Sequence, residues 1–150
     1  MSERWVWSLL ALLALAGIGT SSYLTYSHYA DQATVCAGIG SCEFVQTSEY
    51  SKVAGVPVAL LGLLFFVALE GLAALRLLRF EPALQWGQPA AFAMTLGGLA
   101  FVSYLSYVEL FVIDAICIWC VATAGITLAC FLVAAGGTLL SISGEEEEPA

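Results

Sequence analysis

Apolar residues gather in four long runs, over residues 5–26, 56–78, 90–110 and 115–142. A helix rises about 1.5 Å per residue and a bilayer's hydrocarbon core is about 30 Å thick, so about 20 apolar residues suffice to cross it. Each run therefore predicts a membrane-spanning helix. Most of the polar stretches between them are short, which predicts antiparallel neighbours. The exception is residues 27–55, roughly twice the length at which an unstructured loop becomes unusual. Within it, Phe44, Val45, Tyr50 and Val53 suggest a short amphipathic helix lying on the membrane surface.

The fold class predicted is an all-α membrane protein. A four-transmembrane-helix bundle occupies residues 1–143 with a long outer loop, and residues 144–150 form a disordered acidic tail. Pro57 is expected in the first turn of the second span, where its missing N–H costs nothing. Small residues such as Gly62, Gly71, Gly97, Gly98, Gly125, Gly136 and Gly137 would let helix backbones approach closely. The first run is read as a retained helix. Its apolar stretch is longer than a signal peptide's, and no small-x-small cleavage site follows.

Composition agrees: 61% of residues are hydrophobic and 11% charged, outside the balance of soluble domains. Much of the net charge of −8 comes from Glu145, Glu146, Glu147 and Glu148, a solvated run. No basic patch suggests a nucleic-acid partner. Arg4, Arg76 and Arg79 oppose a single Lys52, so the positive-inside bias puts both termini and the link between the middle spans in the cytoplasm. The chain is then a multi-pass protein of the inner (cytoplasmic) membrane, with the long loop outside.

The chemistry lies in two cysteine pairs, Cys36-x5-Cys42 in the long loop and Cys117-x2-Cys120 where the last run begins. Gly38 and Gly40 give the first pair a flexible link. Asp114 is expected to cap the last helix, with Cys117 in its first turn and Cys120 one turn deeper on the same face. The helix dipole favours thiolate, the form that attacks disulfides. The anionic cap opposes this at Cys117, so Cys120 is expected to gain more. The same four sulfurs could bind zinc. However, the wide first spacing and an oxidising compartment favour redox chemistry, and no metal is assigned. The alternative is a non-enzymatic tetraspan protein with a structural four-cysteine metal site or structural disulfides.

Other candidates receive plainer readings. Cys130 is a small buried hydrophobe, and His28 a lone interfacial histidine. Glu70 is expected to snorkel towards Arg76. Glu109 and Asp114 are expected to be solvated around the outer turn. Trp5, Trp7, Trp86, Tyr23 and Tyr26 fit interfacial belts. Trp119 either joins them or packs beside a ring-shaped ligand.

Taken together, the spans, Cys36/Cys42, Ser48 six residues on, Gly55-Val56-Pro57 and Cys117-Ile118-Trp119-Cys120 resemble the bacterial branch of the vitamin K epoxide reductase family. The order of the pairs separates the chain from the disulfide-bond-formation protein B family, which carries its Cys-x-x-Cys in the first outer loop. The resemblance implies a helical bundle that cups a quinone, of ubiquinone or menaquinone type, near its outer face. Cys120 would be the thiol next to the quinone and Cys117 its resolving partner. Cys42 would exchange with Cys117, and Cys36 would engage a soluble donor. Ser48 would hydrogen-bond the quinone or hold the loop. A fused thioredoxin-like domain, frequent in the family, is not seen in this sequence, so a separate thioredoxin-like protein is the expected donor.

Overall fold

The computed structural model describes residues 2–30, 36 and 42–146. Its helices are α1 (Glu3–Tyr29), α2 (Cys42–Thr47), α3 (Val58–Leu77), α4 (Glu81–Tyr107) and α5 (Ile118–Glu146), with a π-helical continuation of α4 over Val108–Ile113. Four of these are long and apolar enough to cross a membrane: α1, α3, α4 with its π-helical end, and α5. The predicted all-α membrane bundle is what forms. The glycine-bearing link 37–40 and residues 147–150 of the acidic tail lie outside the described residues.

Two boundaries differ from the hydropathy pattern. α4 starts at Glu81, well before the apolar run, with a proline in its first turn where no amide is needed. The added turns are polar because they are fastened sideways: Gln88 Nε2 donates to the Ala134 carbonyl at 2.9 Å and to Thr138 Oγ1 at 3.1 Å. In the long loop, α2 and a 3₁₀ turn (Glu49–Ser51) replace a single amphipathic helix. They lead into a small antiparallel pair, β1 (Lys52–Val53) and β2 (Val56–Pro57), in which Val53 faces Val56. The connecting Ala54 and Gly55 both have positive φ, 51° and 83°, the backbone a two-residue hairpin needs. Pro57 therefore stands just before α3 as its N-cap rather than inside its first turn.

The core joins all four spans. Val6, Trp7, Leu10 and Ala14 of α1 meet Phe66, Leu69 and Ala73 of α3, Ala91 of α4, and Cys130 and Ala134 of α5. Trp7 is 1% exposed, so it is a core residue and not part of an interfacial belt; Trp5 and Trp86, at 65% and 67%, do face outward. Arg76 bonds Glu3 and lies over the Trp7 ring, 5.6 Å from its centroid, which fastens the end of α3 to the start of α1. Glu70 does not share Arg76. Residues six apart on a helix are not neighbours, and Glu70 Oε2 is buried with no hydrogen-bond partner among the described residues.

α1 and α3 pack tightly where Gly17 faces the Phe66 ring, which occupies the space that a Cβ at Gly17 would take. Gly19 on the same helix has open space around it. Gly17→Ala should therefore lower stability by about 1–3 kcal/mol through overpacking. Gly19→Ala should leave it unchanged or slightly raised. Reversible unfolding in mixed micelles checks the contrast, and equal effects at both positions would remove the close-approach argument.

Candidate functional site

All four paired cysteines converge at one end of the bundle. Cys36 and Cys42 are joined as a disulfide with Cα atoms 6.1 Å apart. Cys117 and Cys120 are in the reduced thiol form. Cys42, Val45 and Cys117 form one buried cluster, against which Cys36, Ile113, Ala115, Trp119 and Cys120 pack. The loop pair thus lies directly on the helix pair, with Cys42 and Cys117 at the centre. Two of the four sulfurs are already bonded to each other. Among the described residues, no group of three or more His, Cys, Asp or Glu is placed to hold a metal ion.

The start of α5 differs from the sequence expectation. Asp114 is the residue at which the π-helical end of α4 stops, in the left-handed conformation (φ 55°, ψ 37°) that aspartate tolerates better than most residues. Its N–H donates to the Glu109 carbonyl, as does that of Ala115 at 3.0 Å. α5 begins at Ile118, and the N–H of Val121 bonds the Cys117 carbonyl at 3.0 Å. That bond makes Cys117 the N-cap, the residue whose side chain receives the free amides of the first turn. Its sulfur accepts from the N–H groups of Trp119 and Cys120.

These bonds decide where thiolate forms. The Cys120 S–H donates to the Cys117 sulfur, and this, with the two amides, lowers the Cys117 thiol to about 7 despite its burial. The helix dipole with an anionic cap at Asp114 would favour Cys120. The N-cap position reverses that order, because Cys117 receives the hydrogen bonds and Cys120 gives one. A thiol titrating near 7 is a competent nucleophile and a good leaving group at neutral pH.

Cys120 opens onto a largely apolar pocket. Leu24 of α1, Val58 of α3, Phe101, Val102 and Leu105 of α4, and Ala124 of α5 line it, with Ser48, Glu109 and Cys120 among the polar groups. Apolar walls with few polar groups are what a flat, weakly polar acceptor requires. The Ser48 hydroxyl donates to the Val45 carbonyl at 2.8 Å, tying down the end of α2 while its lone pairs remain at the pocket wall. Trp119 is not in the lining; its ring packs on Tyr23 with centroids 4.8 Å apart. His28 packs edge-on to Tyr29. Cys130 belongs to the main core.

Glu109 is the residue that the sequence reading misplaced. It is 7% exposed, not solvated, and it lines the pocket beside Cys120. Its carboxylate shares the single Cys120 thiol hydrogen with the Cys117 sulfur and accepts from the Cys117 backbone N–H. Two signals could have found it. It is acidic within an apolar span, which points to function. It also follows Ala91 by about five turns at 3.6 residues per turn, which places it on the same buried face of α4.

In the reduced protein, ultraviolet thiolate absorbance assigned by difference against Cys117→Ala should rise with increasing pH and be half-formed near pH 7. Cys120→Ala removes the largest stabilising bond and should move that midpoint up towards the ordinary cysteine value of about 8.5. An unmoved midpoint would show that the Cys120 thiol does not hold the Cys117 thiolate.

Comparison with known families agrees with this geometry. A model of the vitamin K epoxide reductase family matches residues 8–135, which take in α3 and α4, most of α1 and α5, and both cysteine pairs. The chain belongs to the vitamin K epoxide reductase family, whose members are quinone-linked thiol–disulfide oxidoreductases of membranes.

Proposed function

We propose that this protein is a disulfide-generating oxidase that carries electrons from a separate thioredoxin-like protein through Cys36/Cys42 and Cys117/Cys120 to a membrane quinone. The observation that carries the reading is the buried contact set of Cys42 and Cys117, with Cys120 at the wall of an apolar pocket. A donor dithiol reduces the Cys36–Cys42 disulfide. The Cys42 thiolate then attacks the Cys117 sulfur of a Cys117–Cys120 disulfide, forming a Cys42–Cys117 bond and releasing Cys120. Cys36 resolves that bond by attacking Cys42, and Cys117 leaves as the thiolate its N-cap position stabilises. The donor has then become a disulfide, the loop pair is oxidised again, and Cys117/Cys120 hold two electrons. Reoxidation of that dithiol passes the electrons to a ubiquinone- or menaquinone-type acceptor in the pocket. Ser48 and Cys120 are the polar contacts proposed for it, and Trp119, packed against the cluster of Cys42 and Cys117, is proposed to support the site from outside the pocket.

The proposed orientation puts the cysteine end outside the inner membrane and the termini in the cytoplasm. Arg4, Arg76 and Arg79 lie towards one end of the bundle and Lys52 towards the other. An extracytoplasmic cysteine end suits the chemistry, because disulfides persist in oxidising compartments.

One experiment tests donor, acceptor and orientation together. A reduced thioredoxin-like protein added outside spheroplasts should drive quinone reduction, and the same protein added to inverted vesicles should not. Cys120→Ser should abolish turnover, whereas Cys130→Ser should retain it. Turnover in inverted vesicles alone would reverse the orientation, and equal losses in the two variants would contradict the assignment of Cys120.

A further inference from the structure

From the placement of Glu109, we infer that its carboxylate is a catalytic proton carrier between the Cys120 thiol and the acceptor in the pocket. The inference rests on the proposed reduction of quinone at Cys120. Glu109 lines the same pocket as Cys120, is nearly fully buried and shares the Cys120 thiol hydrogen with the Cys117 sulfur. Its own orientation is fixed twice over. The Cys117 backbone N–H bonds the carboxylate, and the Glu109 carbonyl receives the Asp114 and Ala115 amides where the π-helical turn closes. π-Helical turns are frequent at functional sites, and this one sets an acidic side chain towards the wall where the thiol opens.

The chemistry requires such a group. Reducing a quinone to a quinol takes two electrons and two protons, and the Cys117/Cys120 pair supplies both electrons when its S–S bond forms. Cys117 titrates near pH 7, and in the thiolate form that reacts its proton has gone to solvent. The remaining thiol proton is on Cys120, in a pocket with mostly apolar walls. Glu109 takes that proton as the Cys120 S–H bond breaks and the Cys117–Cys120 bond forms. It then returns the proton to one acceptor oxygen. The second oxygen draws its proton from solvent, replacing the one lost from Cys117, so electrons and protons balance.

The test uses the whole chain in detergent, freed of bound quinone. Binding of a soluble quinone analogue to the disulfide form is measured first, by quenching of tryptophan fluorescence. The analogue is then added to the dithiol form and quinol formation is followed in a single turnover. Glu109→Gln keeps the shape but cannot carry the proton. It should bind the analogue as tightly as wild type yet form quinol about 100-fold more slowly, within the range for a lost general acid–base group. Glu109→Asp should recover part of the rate. Wild-type rates in Glu109→Gln, or parallel loss of binding and turnover, would overturn the assignment, the latter by showing a packing role. A second measurement needs no Glu109 variant. In wild-type protein with isotope-labelled glutamate, the infrared difference between dithiol and disulfide states should contain a glutamate carboxyl change that persists in Glu70→Gln. Its absence would also overturn the proposal. Wild type that reduces no quinone would overturn the parent reading and this one with it, whereas a competent wild type with an equally competent Glu109→Gln would overturn this one alone.

Discussion

The sulfur of Cys117 sits at the N-cap of α5, receiving the amides of Trp119 and Cys120 and the thiol hydrogen of Cys120 while packed on Cys42. The rest of the site depends on that position. It gives the buried thiol a negative form that burial alone would oppose. It turns Cys117 towards the loop disulfide, and it leaves Cys120, one turn later, facing the pocket. A single helix start therefore gives two neighbouring cysteines different surroundings and different work.

The membrane imposes the second constraint. In lipid every backbone polar group must be satisfied within the protein, so irregular backbone has to be confined and bonded. The connection from α4 to α5 shows how this is done. The Glu109 carbonyl collects the two amides freed where the π-helical turn ends, and the Glu109 carboxylate collects the Cys117 amide. The same residue closes the turn and lines the pocket. At the opposite end of the bundle, Arg76 bonded to Glu3 and Gln88 bonded to Ala134 and Thr138 hold α1, α3, α4 and α5 together. The close packing of Gly17 on Phe66 lies between these two polar ends.

The number of spans and the cysteine pairs were legible because each leaves a local mark: about twenty apolar residues, a fixed spacing. What was not legible depends on partners distant in sequence. Trp7 reads as an interfacial aromatic until α3 brings Arg76 over its ring. Gln88 reads as loop until Ala134 and Thr138 of α5 receive its amide. Asp114 has the composition of a helix cap, but the turn closing on Glu109 gives it a left-handed backbone and moves the cap to Cys117. Glu109 itself was masked by its nearness to the end of an apolar run, where a carboxylate is ordinarily wet. Ser48, by contrast, was placed at the site by resemblance, and its bond to Val45 supplies the physical reason.

The account stands on direct exchange between Cys42 and Cys117. The most direct measurement is peptide mapping of Cys36→Ser under non-reducing conditions, because this variant lacks the thiol that would resolve the exchange. The account predicts that a Cys42–Cys117 disulfide accumulates during turnover with donor and quinone. Recovery of Cys117–Cys120 as the only disulfide, with no Cys42–Cys117 species at any time, would contradict it.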